Sequence, residues 1–168
     1  MGLHNVGTLR LRGYEIELLT RVQNLSACLP SPCRGLKHLY LTIDPTKNQF
    51  LVITFLLKSY PNLQNLWLCF NEEKRMSLNM VCMEEHWHSE EWSAEYVLKY
   101  LRMVEIKQFQ GSESELEFVK YFLENANMLE YVNIGFSCKE KVIEERTSIT
   151  EKLLTFARVS PHAQIFLS

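Results

Sequence analysis

The sequence has no long apolar segment and almost no net charge, and each absence excludes a class of protein. No run approaches the roughly 18 apolar residues that a membrane-spanning helix needs. The opening residues, MGLHNVGTLRLRG, lack the apolar core of a secretory signal peptide. A formal net charge of −2 gives no general reason to expect binding to nucleic acid or anionic lipid. The sequence therefore predicts neither a nucleic-acid partner nor a membrane.

Motifs of catalysis are also missing. The chain contains no glycine-rich phosphate loop, no Gly-x-Ser-x-Gly and no His-Glu-x-x-His. Its one cluster of metal-ligand types is Cys82, His86 and His88 with Glu84 and Glu85. This spacing lacks the paired ligands of a structural zinc site, and no third group is placed to orient a Cys/His pair. A metal site and a nucleophile pair remain alternatives to an exposed polar loop, which the pattern favours. We therefore predict no enzyme, no catalytic residues, no metal and no cofactor.

The five cysteines are odd in number and scattered along the chain. Such a set is typical of free thiols in a reducing compartment rather than of a disulfide framework. We therefore expect a cytoplasmic or nuclear location.

Two stretches, 46–68 and 112–134, repeat the same pattern after a shift of 66 residues. Each begins with a capping box, in which a hydroxyl residue is followed three positions later by Gln or Glu. The boxes are Thr46 with Gln49 and Ser112 with Glu115. The apolar positions of the helix and strand that follow also coincide, in the pairs Phe50/Leu116, Ile53/Val119, Leu57/Leu123, Leu63/Leu129, Leu66/Val132 and Leu68/Ile134. This agreement predicts a repeat protein.

The predicted strands recur at intervals typical of leucine-rich repeats. Their central residues are separated by 30, 27, 38, 28 and 33 positions, and are Leu9, Leu39, Leu66, Val104, Val132 and Ile165. A strand–helix–strand unit of this size favours parallel strands with right-handed crossovers. We predict an α/β fold, a leucine-rich-repeat-like open solenoid with a mostly parallel sheet on one face and helices on the other. Further helices are expected in part of 14–29, from about Ser93 to Leu101, and near the C-terminus around 142–156.

The C-terminal half carries a pattern that resembles a known plant domain. It reads VEIKQFQG at 104–111, ELEFVKYFLENA at 115–126, and later LLTFARVSP at 153–161 before an apolar strand. These residues look like the FBD domain of plant F-box/leucine-rich-repeat proteins, over roughly 87–167. The stretches 36–43 and 62–70 resemble the last repeats before that domain. The resemblance implies the substrate-recognition arm of a cullin-type ubiquitin ligase. The chain offers no F-box, so contact with the ligase adaptor is not expected from it.

The longest interval between strands holds an acidic segment. Seven glutamates stand against two basic residues between positions 71 and 95. A solvated loop is favoured over a patch for a basic partner. The expected organisation is a leucine-rich-repeat-like segment at 1–70, an acidic insertion or linker at 71–99, and an FBD-like domain at 100–168 that continues the same solenoid.

Strand alternation predicts which residues line the open face of the sheet. If the apolar strand positions point into the core, the residues between them point to the opposite face. That row is Arg10, Tyr40, Trp67, Glu105 and Asn133. Tyr40 and Trp67 beside Arg10 have the composition of an interface hot spot. Alternatively, the N-terminal helix or the insertion folds over them.

We predict a non-enzymatic protein-recognition module whose partner protein binds at this row. The alternative is a structural capping fragment of a larger repeat protein, with no independent partner.

Overall fold

A computed structural model of the chain describes residues 6–22, 35–44, 46–71, 98–137 and 143–168. These residues contain six strands: β1 Thr8–Leu11, β2 His38–Ile43, β3 Asn65–Phe70, β4 Met103–Phe109, β5 Tyr131–Phe136 and β6 Gln164–Leu167. They also contain four helices: α1 Gly13–Thr20, α2 Lys47–Ser59, α3 Glu113–Asn125 and α4 Ile143–Thr155. The fold is therefore mixed α/β.

The six strands form one parallel sheet whose spatial order is the order of the chain. The register aligns one apolar residue from every strand across the whole sheet. These residues are Leu9, Leu39, Leu66, Val104, Val132 and Ile165. They are the six strand centres expected from the spacing, so the parallel sheet and its alignment are confirmed.

One hydrophobic core joins the sheet to the helices. Along β2 and β3 every second residue is buried, as in Leu39, Leu41 and Ile43, because successive side chains of a strand point to opposite faces. The helices bring Phe50 and Phe118 to the same core, which also includes Ile16 of α1. The other face of the sheet is thereby left to the alternate, more polar residues.

The connections from strand to helix are closed by side chains at the start of α2 and α3. Ser112 accepts a hydrogen bond from the backbone N–H of Glu115, and the Glu115 carboxylate accepts from the backbone N–H of Ser112. Thr46 accepts from the backbone N–H of Gln49 in the same way. Gln49, however, does not complete the box. Its side-chain amide instead binds Asp44. An amide can do both things needed there, since its oxygen accepts from the backbone N–H of Asp44 and its NH₂ group donates to the Asp44 carboxylate.

The described residues correct one predicted element. Positions 98–101 form a turn and not the end of a helix, and the rest of the expected helix at 93–101 lies outside the described residues. The helix expected in part of 14–29 occupies 13–20, and positions 23–29 lie outside the described residues as well. Among the residues that the structure describes, no helix is both long and apolar enough to cross a membrane.

Candidate protein-binding face

The face of the sheet opposite the core carries one side chain from each strand at matched positions. The pairing places Arg10 beside Tyr40, Tyr40 beside Trp67, Trp67 beside Glu105, and Glu105 beside Asn133. The five residues expected on the open face thus lie on consecutive strands in one row, here called the open-face row. Arg10 is exposed, and the other four are half-buried.

Four members of the row touch one another in sequence. The guanidinium of Arg10 lies 4.3 Å from the centre of the Tyr40 ring. The Tyr40 and Trp67 rings are stacked, with centroids 4.2 Å apart and planes inclined by 6°. The indole Nε1 of Trp67 donates a hydrogen bond of 2.8 Å to Oε2 of Glu105. The row is therefore a connected set of side chains that hold one another in place.

The same face contains a pocket of about 410 Å³ that spans β1 to β4. It is lined by Arg10, Leu11, Arg12, Tyr40, Leu41, Thr42, Trp67, Leu68, Cys69, Glu105 and Lys107. Four of the five predicted residues line it together. Asn133 does not, because it lies one strand beyond the pocket's edge on β5.

Several residues of this face were not among those predicted from the sequence. Lys107 forms a 3.1 Å ion pair with Oε1 of Glu105, and Arg12 lines the pocket beyond the end of β1. Toward the N-terminal ends of β2 and β3, beside the middle of the row, His38 and Asn65 are joined by a 3.0 Å hydrogen bond, and the His38 ring lies 5.9 Å from that of Trp67. Alternation continued two residues in each direction would have found Lys107, His38 and Asn65.

The pocket is electropositive, although the chain carries a net charge of −2. Among the described residues that line it, three are cationic, namely Arg10, Arg12 and Lys107, and one, Glu105, carries a carboxylate. That carboxylate is already engaged by Lys107 and by the Trp67 indole. Such an arrangement can stack on, and pair with, groups of a binding partner.

The N-terminal helix does not lie over this face. Ile16 of α1 is fully buried and belongs to the same core as Leu39 and Phe50, so α1 packs on the core side of the sheet. The acidic segment at 72–97 is outside the described residues.

Metal ligation finds no support among the residues that the structure covers, because none of them form a group of three or more His, Cys, Asp or Glu able to hold an ion. The Cys82, His86 and His88 cluster falls in 72–97, outside those residues.

Comparison with known families finds a match to the FBD domain over part of this chain. The FBD family model matches residues 94–134, a range that includes β4, α3 and part of β5.

Relatives among curated proteins come from Arabidopsis thaliana. An F-box/LRR-repeat protein is 28% identical over 140 residues, which cover 75% of this chain and 28% of that protein. An FBD-associated F-box protein is 27% identical over 76% of this chain and 26% of its own length. An F-box/FBD/LRR-repeat protein is 34% identical over 42% of this chain and 17% of its own length. No solved structure matches the chain significantly.

The two kinds of match agree, since the FBD family model matches part of this chain and two of these relatives carry FBD in their names. The resemblance to plant F-box/FBD/leucine-rich-repeat proteins is thereby confirmed. The chain spans about a quarter of the length of the first two of these relatives.

Proposed function

We propose that the chain is a non-enzymatic protein-recognition module, comparable to the substrate-binding arm of an F-box ubiquitin-ligase subunit. Its partner is a protein that binds the open-face row, in the cytoplasm or the nucleus. The observation that carries this proposal is the stacked Tyr40–Trp67 pair in a pocket on the face opposite the core.

The architecture proposed for this module is a leucine-rich-repeat-like open solenoid. Strands that follow one another in chain order, in matched register, are what stacked strand–helix repeats produce. The proposed units are a repeat segment at 1–70, an acidic insertion at 71–99 and an FBD-like unit at 100–168. Stacked repeats present the strand face as an extended surface, and such surfaces are the usual binding side of solenoids.

The geometry of the row suits binding because its side chains are ordered in advance. Tryptophan, tyrosine and arginine carry most of the binding energy at protein interfaces. Ordering such a side chain upon binding costs roughly 0.5–1.5 kcal/mol. Trp67 is already fixed by the Tyr40 ring and by the carboxylate of Glu105, so much of this cost is met in the free protein.

The test replaces Trp67 with Ala. Partner proteins captured from plant extract by the wild-type chain should be depleted in the variant, as measured by quantitative mass spectrometry. The stack and the hydrogen bond lost are together worth roughly 1–3 kcal/mol. We therefore expect the melting temperature to fall by only several degrees, at about 2–4 °C per kcal/mol, leaving the protein folded during capture.

The matched control is Leu66→Ala, the preceding residue of the same strand. Leu66 is fully buried in the core, so its truncation should cost roughly 2–5 kcal/mol without altering the pocket's side chains. At a temperature where both variants remain folded, only Trp67→Ala should lose its partners. Equal capture by Trp67→Ala and wild type would refute the assigned face. Recovery of cullin-ligase adaptors among the captured proteins would support the ligase part of the proposal, and their absence beside other specific partners would favour a free-standing binder.

A further inference from the structure

The unneutralised charge of the pocket lies at one end, over β1. Arg10 contacts the Tyr40 ring, but neither its guanidinium nor that of Arg12 forms an ion pair with a carboxylate of the described residues. Glu105 on β4 is engaged by Lys107 and Trp67. Two guanidiniums that have no carboxylate partner within the described part of the chain therefore line the pocket at its β1 end, and a guanidinium is well suited to bind a carboxylate through two parallel hydrogen bonds.

The Tyr40–Trp67 pair also favours acidic groups in the pocket. Tyr40 and Trp67 stack along the direction that joins β2 to β3, so the ring faces point at neighbouring strands and the ring edges are left to line the pocket. Arg10 covers the remaining face of Tyr40. Ring edges carry partial positive charge. These ring edges therefore accept an apolar or aromatic side chain edge-to-face, and they favour nearby carboxylates over cations.

Strand spacing sets the distance between Arg10 and the Tyr40–Trp67 pair. Neighbouring strands lie about 4.8 Å apart, so the middle of the Tyr40–Trp67 pair is about 7 Å from Arg10, one and a half strand spacings away. An extended peptide advances about 3.3 Å per residue, and its residues i and i+2 project from the same side. Two side chains separated by one residue therefore match the spacing of the Arg10 guanidinium and the edges of the Tyr40 and Trp67 rings.

We propose that the pocket binds an acidic, extended peptide segment of a partner protein that crosses the strands. An Asp or Glu of the segment pairs with Arg10 and Arg12, and an apolar or aromatic residue two positions away rests on the edges of Tyr40 and Trp67. This inference rests on the proposed function, and names the chemistry of the partner for that same face.

The test is selection of a random peptide library, displayed on phage, against the chain of 168 residues, with Trp67→Ala as the subtracted background. The clones enriched on the wild type should carry Asp or Glu two positions from an apolar residue. A synthetic peptide with the enriched sequence should bind Arg10→Gln and Arg12→Gln about tenfold more weakly than wild type, since each loses a charge-assisted pair. Its affinity should also fall as salt is raised.

Arg21→Gln is the matched control, because it makes the same change of charge on an exposed residue at the end of α1. It should bind the peptide like the wild type, and the melting temperature of each variant shows that the fold is kept. Clones enriched without acidic residues, or bound equally by Arg10→Gln, would overturn the acidic-segment inference while leaving the proposed function intact. Failure to enrich any clone above the Trp67→Ala background would overturn both. Self-association of the chain that disappears in Arg10→Gln would make a second copy the occupant and would also overturn the inference.

Discussion

A single buried hydroxyl illustrates how the core of this protein responds to pH. Tyr121 of α3 is 7% exposed and packs edge-on against Phe50 and Phe122. Burial raises its pKa from 10.0 to about 12, because desolvation disfavours the charged phenolate. The folded state therefore holds this proton more tightly than the unfolded chain does.

The expected result is a loss of stability in alkali that depends on Tyr121. Its contribution is fully present below about pH 10 and is lost as the pH rises through about 12. Relative to Tyr121→Phe, which cannot ionise, the wild type should lose about 1 kcal/mol of unfolding free energy between about pH 9 and about pH 11. Urea unfolding at the two pH values measures the difference.

Tyr14→Phe serves as the control, because Tyr14 is 74% exposed. The Tyr14→Phe variant should lose as much unfolding free energy in alkali as the wild type does. If Tyr121→Phe loses stability in parallel with the other two proteins, the phenol is not the source of the effect.

The residues of the open-face row could be predicted from the sequence, but their contacts could not. Alternation identifies Tyr40 and Trp67 because a strand has a period of two, whatever its partners. The stacking of the two rings depends on parallel register and on rotamers that non-local packing selects. Arg12 follows the end of β1 and is the N-cap residue of α1, so strand alternation does not extend to it. That these residues bind a partner stays a prediction.

At the scale of elements, the two copies of the repeat share a side-chain hydrogen bond that closes the strand-to-helix loop. In one copy the Gln49 amide accepts a 2.7 Å hydrogen bond from the backbone N–H of Asp44. In the other the Glu115 carboxylate accepts a 2.9 Å bond from the backbone N–H of Gln110. Both bonds span five residues, and the same shift of 66 relates them. The acid and the amide have simply exchanged places between the copies.

This exchange predicts that Gln49→Glu lowers the unfolding free energy. Asp44 and Gln49 are 4% and 1% exposed, and the amide Nε2 now donates to Oδ2 of Asp44 over 3.1 Å. A carboxylate at position 49 cannot donate, and it would place two negative charges together away from water. We expect a loss of roughly 2–4 kcal/mol in unfolding free energy, measured by urea unfolding at neutral pH.

Glu115→Gln is the matched change in the second copy. There the neighbour is the neutral Gln110, so an amide can still accept from the backbone and the expected cost is roughly 1–2 kcal/mol. If the two variants lost equal unfolding free energy, these side chains would contribute only as helix caps, and the charge of Asp44 would have no effect.

The capping boxes show where prediction of elements succeeds and where it stops. Ser112 and Glu115 form the complete box because both partners lie within one turn of helix. The bonds to Asp44 and Gln110 follow from the loop path, which local spacing does not specify. In the same loop as Gln110, Gly111 adopts a φ of 73°, and a Cβ there would clash with the side chain of Ile149 of α4. The glycine is therefore required by a helix far along the chain.

At the scale of the whole molecule, the sheet has continuous pairing across the place where the sequence suggests a boundary. β3 belongs to the predicted repeat segment and β4 to the predicted FBD-like unit, yet they pair over five residues. Beneath them Phe118 of α3 lies 4.8 Å from Phe50 and 6.0 Å from Phe70, between ring centroids. One core therefore includes residues on both sides of the acidic segment.

We accordingly expect the chain to unfold in a single cooperative transition, because neither part can open without exposing the shared aromatic core. In a variant with Trp87→Phe and Trp92→Phe, the fluorescence of Trp67 reports on the first part, since the sequence has three tryptophans. Far-UV circular dichroism reports on the whole chain. The two denaturation curves should coincide.

Adding Phe118→Ala to this reporter decides whether the two parts are coupled. Phe118 is fully buried, and its loss should cost roughly 3–5 kcal/mol. Because Trp67 lies on the far face of β3 and does not touch Phe118, an independent first part would keep its fluorescence midpoint while the circular dichroism changed. A common core instead requires both midpoints to fall together and by the same amount. The sheet would then act as one rigid platform, on which the spacing of Arg10, Tyr40 and Trp67 is held by packing more than 50 residues away in sequence.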